Sequence, residues 1–275
     1  MKKILLTLMA TASMTVSAWA ADVKPALIYD LGGKFDKSFN EAAFNGAQKF
    51  TKDTGIAFRE FEIANDAQRE QALRKFAGDG NNPIVVAGFS WAAAIEKVAP
   101  QYPKTDFAII DMVVTGQPNV KSIVFKEQEG SYLAGVMAAM AAKSNKVGFV
   151  GGMDIPLIHK FACGYVGGVK SIKKDAEVLQ QYTGTDYTAW NDPVKGGEIT
   201  KSQIAQGADV VYHAAGGTGV GVLQAAAEAG KLGIGVDSNQ NGLQPGHVLT
   251  SMMKRVDVAV YNAFNDVKDG KFKAD

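Results

Sequence analysis

Cysteine is almost absent from this 275-residue chain, which contains one, Cys163. A single cysteine cannot form an intrachain disulfide, so the disulfide frameworks that support small secreted domains are excluded. The chain must rely on its core, and 47% hydrophobic residues is the ordinary content of a globular protein. Because Cys163 lies between Phe161 and Tyr165, the pattern favours a small packed side chain over a reactive thiol.

Histidine is also scarce, with three residues, His159, His213 and His247. Their spacing is not that of a metal site, and no H-x-x-x-H, C-x-x-C or G-x-S-x-G motif is present. Carboxylates are numerous, but the sequence places no pair at the distance of a general acid and base. We therefore expect no metal, no cofactor and no catalytic residue, and structural roles for His159 and His213.

Charge of either sign is not in excess, with 29 basic and 28 acidic residues. Residues 1–20 have two lysines, a short apolar stretch broken by Thr and Ser, and Ala-Trp-Ala, which is the pattern of a signal peptide cleaved before Ala21. Removal of both lysines leaves 27 basic and 28 acidic residues, a net charge of −1. This balance argues against a nucleic-acid or membrane-surface binder. With no cysteine beside the cut, we expect a freely diffusing periplasmic protein.

Strand-like and helix-like segments alternate after the leader, which is typical of βαβ units and parallel sheets. The strand-like runs are short and continuously apolar, as expected for strands buried on both faces. About ten such strands are more easily covered as two sheets than as one, and the helix-like EGSYLAGVMAAMAAK marks a restart. We predict an α/β protein with an N-terminal lobe of 21–124, completed by 252–275, and a C-terminal lobe of 125–251.

Three predicted strands end on an acid, at Asp30, Asp111 and Asp237. Any one of them could be a simple turn residue. Ligands of parallel α/β sheets bind at the carboxyl ends of the strands, however, and three acids at such ends favour a binding site. Buried carboxylates need hydrogen-bond donors, and a ligand rich in hydroxyl and N–H groups would supply them.

The segment after the first acid predicts the start of a helix. Ser38 and Glu41 have the spacing of a capping box, in which Ser38 accepts from an early helical N–H and Glu41 reaches back. Phe39 and Asn40 then lie in the first turn, at the same sheet edge as Asp30. The alternative is an ordinary capped helix with Phe39 in the core.

A second aromatic residue precedes another helix start. Asp192-Pro193 combines a cap residue with a proline at the first helical position, and Trp190 lies in the loop before them. A tryptophan between polar turns is less expected in a core than at a binding site. The pattern is compatible with an aromatic ligand stacked on Trp190.

The segment YHAAGGTGVGV (212–222) gives the best argument for an enzyme. Gly217 and Gly219 fit the first two glycines of a dinucleotide-binding G-x-G-x-x-G turn, and Asp237 follows about twenty residues later. However, Val222 occupies the third glycine position, and an exported protein would meet little nicotinamide cofactor. A glycine turn at a helix N-terminus can equally receive a polar ligand group that is not a pyrophosphate.

Several segments, taken in order, resemble the basic membrane protein family of ABC-transporter solute-binding proteins, and most closely its purine nucleoside receptor branch. They are DLGGKFDKSFNEAAFNGAQ, VGFVGG, FACGYVGGVKS, WNDPVKGGE, AAGGTGVGVLQAA, IGVDSNQ and LTSMMKRVD. The resemblance covers nearly the whole chain after the leader. It implies a type I periplasmic-binding-protein fold, in which two α/β lobes joined by three crossings trap a nucleoside in the cleft between them.

The resemblance also implies which residues hold the purine base. Phe39 and Trp190 would sandwich the ring, although the family more often has Phe at the position of Trp190. Asp111 would accept hydrogen bonds from the base edge, helped by Asn40. Asp30 would line the same pocket from the N-terminal lobe.

On the sugar side, the resemblance implies that Asp237 and Lys254 hold the ribose hydroxyls, while Gly216 lets the backbone approach the sugar. Closure of the lobes would signal the loaded state to an ABC permease and ATPase in the inner membrane. No bond is broken in such a cycle, so the protein would not be an enzyme. We expect a monomer without a nucleic-acid partner.

Three alternatives to a purine nucleoside binder stay open. The same fold could bind another flat ligand, such as a free nucleobase or riboflavin, or it could act as a ligand-sensing receptor. A dinucleotide-dependent enzyme is the third. Family members usually continue beyond the last helix with a further strand and helix, whereas this sequence stops at KDGKFKAD, as a C-terminally truncated product would.

Overall fold

The computed structural model describes residues 23–274, so the predicted leader and its cut before Ala21 lie outside the described residues. The described chain forms two parallel five-stranded sheets, with strand orders β2-β1-β3-β4-β5 and β10-β9-β8-β6-β7. The prediction of an α/β protein with two parallel-sheet lobes is therefore confirmed. Within residues 23–274, no helix has the length and apolar content needed to cross a membrane.

The first sheet and four helices form what we call the N-terminal lobe. Its strands are β1 (Ala26–Tyr29), β2 (Arg59–Glu62), β3 (Ile84–Val86), β4 (Phe107–Ile110) and β5 (Val120–Ile123), and its helices are α1 (Phe39–Thr54), α2 (Gln68–Gly78), α3 (Ala92–Val98) and α8 (Val256–Lys268). Side chains of β1 alternate between two cores, with Ile28 facing α2 and α3 and Leu27 facing α1 and α8. Burial on both faces explains why this strand is apolar throughout.

The edge strand β2 departs from that pattern. The segment IAFREFEI (56–63) is strand-like in sequence, and within it β2 starts at Arg59 and all four of its residues are exposed. Among the strands of residues 23–274, it pairs with β1 alone. Because it is an edge strand, its charged side chains can remain in water.

The second sheet and the remaining helices form the C-terminal lobe. Its strands are β6 (Lys146–Met153), β7 (Glu177–Gly184), β8 (Val210–Ala214), β9 (Leu232–Asp237) and β10 (Val248–Met253), and its helices are α4 (Glu127–Ala141), α5 (Pro156–Ile172), α6 (Pro193–Ala205) and α7 (Gly219–Glu228). Helices α4 and α5 cover one face of this sheet, and α6 and α7 cover the other. Cys163 on α5 is exposed, so the expectation that it packs in the core was wrong.

The chain crosses between the lobes at two places in residues 23–274. The first crossing connects β5 to α4 through residues 124–126, and the second connects β10 to α8 through Lys254 and Arg255. After the second crossing, α8 packs on α1, where a Cβ on Gly46 would lie 2.1 Å from the Asp257 carbonyl oxygen. The resemblance implied three crossings, and the described residues contain two of them.

Candidate ligand-binding site

A pocket with about 610 Å³ of space not filled by protein atoms lies between the lobes. That volume includes space that is open to solvent. The pocket is at the carboxyl ends of the strands of both sheets, as expected for parallel α/β folds. It is lined by all eight residues predicted from the sequence, Asp30, Phe39, Asn40, Asp111, Trp190, Gly216, Asp237 and Lys254.

Two of the strand-end acids have an unusual backbone conformation. Asp111 follows β4 with φ 74°, and Asp237 ends β9 with φ 63°. Left-handed φ values are uncommon outside glycine, although Asp adopts them more readily than most residues. Such conformations concentrate at functional sites, where the surrounding structure holds them in place. In each lobe, the chain therefore turns at the strand end so that a carboxylate lines the pocket.

Lys254 is the central cation of the pocket and is 5% exposed. Its Nζ lies 2.7 Å from Asp111 Oδ2 and 3.1 Å from Glu127 Oε1. Burial disfavours the ammonium, but attraction to Asp111, Glu127 and Asp237 outweighs it and raises the pKa of Lys254. Burial also raises the pKa of Asp111, against the opposing effect of Lys254. The second carboxylate oxygen of Asp111, Oδ1, is buried and has no hydrogen-bond partner in the protein.

Direct hydrogen bonds join the lobes beside the pocket. Ser38 Oγ donates to Asp237 Oδ2 at 2.5 Å, and the Ser238 hydroxyl donates to the Ser38 carbonyl at 2.8 Å. Nearby, the Gln240 amide donates to the Lys37 carbonyl at 2.9 Å. Burial raises the pKa of Asp237 to about 6, although Lys254 and Ser38 lower it. The lobes are thus in contact, and the pocket is in a closed arrangement.

The start of α1 differs from the predicted capping box. Ser38 makes no side-chain cap, because its hydroxyl donates to the opposite lobe. The cap is Asp36, whose carboxylate accepts from the backbone N–H groups of Ser38, Asn40 and Glu41. Glu41 instead accepts from the Lys37 N–H. Burial raises the pKa of Asp36 to about 7, despite these bonds.

Asp30 and Asn40 line the pocket, but their polar atoms are largely used within the N-terminal lobe. Asp30 accepts from buried Arg69 at 2.8 Å and from the Ser90 hydroxyl at 2.6 Å. The Asn40 amide donates to the carbonyls of Asp30 and Gly33, which fixes the loop after β1. Both residues therefore shape the pocket wall. The buried acceptor without a partner in the protein is Asp111 Oδ1.

Trp190 lies at the end of a short 3-10 turn in the C-terminal lobe, two residues before the Asp192 cap of α6. The Asp192 carboxylate accepts from the Lys195 N–H, as predicted for this helix start. The indole packs on the backbone of β6, where a Cβ on Gly152 would lie 2.2 Å from its Cζ3 atom. Gly152 therefore makes the space that Trp190 occupies at the pocket wall.

Several lining residues were missed by the sequence argument. Leu157, Ile158 and Phe161 come from the first two turns of α5 and form an apolar wall. The signal for them was the position of α5 directly after the carboxyl end of β6. Phe89, from the loop after β3, lines the pocket and stacks on Tyr187 of the other lobe, with ring centroids 6.4 Å apart.

The glycines at the start of α7 are occupied by protein contacts. A Cβ on Gly219 would lie 1.8 Å from the His213 ring, and one on Gly221 would lie 1.8 Å from the Pro193 carbonyl oxygen. These glycines therefore allow close packing within the lobe. His213 is fully buried beside Gln240, and burial lowers its pKa to about 4. No cluster of His, Cys, Asp and Glu among residues 23–274 could hold a metal ion.

Comparison with known proteins identifies the family of this two-lobed chain. The model of the Bmp family, described as "ABC transporter substrate-binding protein PnrA-like", matches residues 25–274. The chain belongs to the Bmp family. This confirms the resemblance stated from the sequence. The chain is thus an ABC transporter substrate-binding protein, and the Bmp family is a class of binding proteins.

Individual relatives agree with this assignment. The chain is 36% identical to a Lactococcus lactis protein named ABC transporter nucleoside-binding protein BmpA, over 95% of this chain and 79% of that protein. A solved ABC transporter solute-binding protein from Aeropyrum pernix superposes with a TM-score of 0.86 at 34% identity, over 92% of this chain and 72% of that one. The predicted type I periplasmic-binding-protein fold is confirmed.

The comparisons do not support the expectation of a form without a lipid anchor. A relative from Pyrococcus abyssi, 36% identical over 92% of this chain and 66% of that protein, is named a lipoprotein. Relatives of this chain thus include proteins named lipoproteins.

Proposed function

We propose that this Bmp-family protein binds a purine nucleoside between its lobes and delivers it to an ABC importer. The observation that carries the proposal is the composition of one pocket. Phe39 from the N-terminal lobe and Trp190 from the C-terminal lobe both line it, together with an unpartnered oxygen of Asp111. Two aromatic rings suit a flat base, and a buried carboxylate oxygen needs a donor such as a ring N–H or amino group.

The contacts that a purine nucleoside would make in this pocket are favourable. Stacking on aromatic side chains contributes roughly 1–3 kcal/mol per base. A buried hydrogen bond to a charged group such as Asp111 or Asp237 contributes roughly 1.5–3 kcal/mol. Two or three such bonds and the stacking together contribute about 4–12 kcal/mol, which opposes the loss of translational and rotational freedom on association.

The charges in the pocket favour a nucleoside over a nucleotide. Its lining includes four carboxylates, Asp30, Asp36, Asp111 and Asp237, and one cation, Lys254. Lys254 is already paired with Asp111 and Glu127. A phosphate group would find the nearby cations already engaged, because Arg69 pairs with Asp30 and Lys254 pairs with Asp111, whereas ribose hydroxyls can donate to the carboxylates.

The contacts between the lobes support a binding cycle driven by closure. Hydrogen bonds from Ser38 to Asp237 and from Gln240 to Lys37 exist only when the lobes meet. We propose that the N-terminal lobe, which includes α8, and the C-terminal lobe swing about the two crossings. Ligand favours closure, and an ABC permease with its ATPase reads the closed form. In this cycle the protein acts as a monomer outside the inner membrane, and it breaks no bond.

Calorimetry with a matched ligand panel tests the proposal. The panel contains the purine nucleosides inosine, guanosine and adenosine. It also contains hypoxanthine, riboflavin, NAD and inosine monophosphate, which represent the alternative ligand classes. We expect at least one purine nucleoside to bind in the sub-micromolar range, and inosine monophosphate to bind at least about tenfold more weakly than inosine. Tighter binding of riboflavin or a free base, or turnover of NAD, would overturn the assignment in favour of the corresponding alternative.

A further inference from the structure

We propose that Glu127 is a positioning residue of this pocket, which holds the Lys254 ammonium from the first crossing while ligand engages the other acids. The inference rests on the proposed function and adds a residue to it. Glu127 is the first residue of α4, directly after the crossing at 124–126, and does not itself line the pocket.

The burial of Glu127 calls for an explanation. The residue is 2% exposed, and neither of its carboxylate oxygens accepts a hydrogen bond. A buried carboxylate without hydrogen bonds is costly, and a nearby cation is the usual compensation. Lys254 Nζ lies 3.1 Å from Oε1, and half-exposed Lys160 lies 3.7 Å from Oε2. The N-terminus of α4 also favours a negative charge at this position.

Lys254 lies between carboxylates that differ in their access to ligand. Its ammonium has three donors, and it faces three carboxylates, Asp111, Glu127 and Asp237. Asp111 and Asp237 line the pocket and are the acids expected to meet ligand. Glu127 is the carboxylate of this set that ligand does not reach. Glu127 can therefore keep the Lys254 ammonium in place when a bound ligand donates hydrogen bonds to Asp111 and Asp237.

Aromatic rings define where this ammonium can go. The Nζ atom lies 5.4 Å from the centre of the Phe39 ring, 5.1 Å from that of Phe125 and 5.5 Å from that of Phe161. These rings attract the cation but give it no hydrogen-bond acceptor. Without Glu127, the ammonium would depend on Asp111 and Asp237 alone, and a ligand would have to compete with it for both.

The pair also connects the two crossings. Glu127 follows the first crossing, and Lys254 lies in the second. The charge on Lys254 depends on Asp111, Glu127 and Asp237, with Lys160 as the other cation near Glu127. Because these acids raise the pKa of Lys254 above its ordinary value, loss of Glu127 would lower it, and the ammonium would deprotonate at a less alkaline pH.

The test compares Glu127→Gln with Glu129→Gln. Both residues lie in the first turn of α4, but Glu129 is exposed and pairs with Lys126 on the surface. Calorimetry with inosine at about pH 7 should show E127Q binding at least about tenfold more weakly, and E129Q within about twofold of the unmodified protein. Towards about pH 10, the affinity of E127Q should fall more steeply.

A second measurement does not depend on the ligand. NMR titration of the lysine side chains in the ligand-free protein should show a lower pKa for Lys254 in E127Q than in E129Q, with Lys254→Arg used for assignment. A lower melting temperature of E127Q with unchanged inosine affinity and an unchanged pH profile would mean a purely structural role and would overturn the proposal. If the unmodified protein binds no purine nucleoside, the proposed function is wrong. Separately, an equal pKa of Lys254 in E127Q and E129Q would reject the positioning role of Glu127.

Discussion

The space behind Trp190 offers a sharp test of its role. Gly152 lies in β6, and a Cβ at this position would be 2.2 Å from Cζ3 and 2.5 Å from Cε3 of the indole. Ordinary contact between carbon atoms requires about 3.5 Å, so in Gly152→Ala the ring must move by roughly 1.3 Å. Since Gly152 supports the ring from the side of β6, the displaced indole would no longer face the pocket as it does now.

The size of the effect follows from the stacking energy. Complete loss of stacking in Trp190→Ala should cost roughly 1–3 kcal/mol, which corresponds to about 5- to 150-fold in affinity. Gly152→Ala leaves the indole present but misplaced, so its loss should be at least about threefold and no larger than that of W190A. In the double variant the Gly152→Ala change should have little further effect, because there is no ring to displace.

Calorimetry on the four proteins of this cycle measures the coupling, with the tightest-binding purine nucleoside as ligand. Gly167→Ala on α5 is a matched control, because its new Cβ would lie 3.4 Å from Tyr132 Cδ2, an ordinary contact. This control should bind like the unmodified protein. Equal losses from Gly152→Ala in the presence and absence of Trp190, or none in either single variant, would refute the placement of the indole against the ligand.

Three further predictions test other parts of the structure. The Tyr187 ring stacks on Phe89 of the other lobe, so Tyr187→Ala removes an aromatic contact between the lobes. This variant should bind nucleoside about two- to tenfold more weakly because the ligand dissociates faster, which stopped flow would measure. Gly219→Ala should lower the free energy of unfolding by about 1–3 kcal/mol in a urea titration, because its Cβ would overlap the His213 ring. The raised pKa of Asp237, about 6, stabilises the folded protein at acid pH, and this contribution is lost as the pH rises through about 6. Asp237→Asn should therefore show a smaller decrease in melting temperature between about pH 4 and pH 7 than the unmodified protein, and an identical pH profile would contradict the burial of the charge.

Much of the fold could be predicted because it depends on sequence patterns only a few residues long. Apolar runs of four to eight residues, separated by helix-like segments, predicted parallel strands, and residues 23–274 contain ten of them in two sheets. The acids at 30 and 111 could be placed together because parallel strands of one sheet present their carboxyl ends at the same edge, whereas Asp237 ends a strand of the other sheet and reaches the same pocket through the facing of the two lobes. The cap at Asp192 was likewise local, since its partner is three residues away.

The predictions for Ser38 and Cys163 were wrong because contacts distant in the chain decide what these side chains do. Ser38 has the local spacing of a cap, but its hydroxyl donates to Asp237 from the opposite lobe, 199 residues away. Asp36 then supplies the cap in its place. Exposure of Cys163 has a similar cause, because only the packing of α5 on α4 decides which of its faces meets water.

The sequence alone determined the α/β class, the acids at the strand ends and the aromatic residues beside two helix starts, since these depend on residues close together in the chain. The tertiary structure alone decided which groups remain available. It used the polar atoms of Asp30 and Asn40 within one lobe, left Asp111 Oδ1 without a partner, and buried Glu127 beside Lys254. Hydrogen-bond capacity is shared among all neighbours in space, and those neighbours come together only when both lobes have folded and closed.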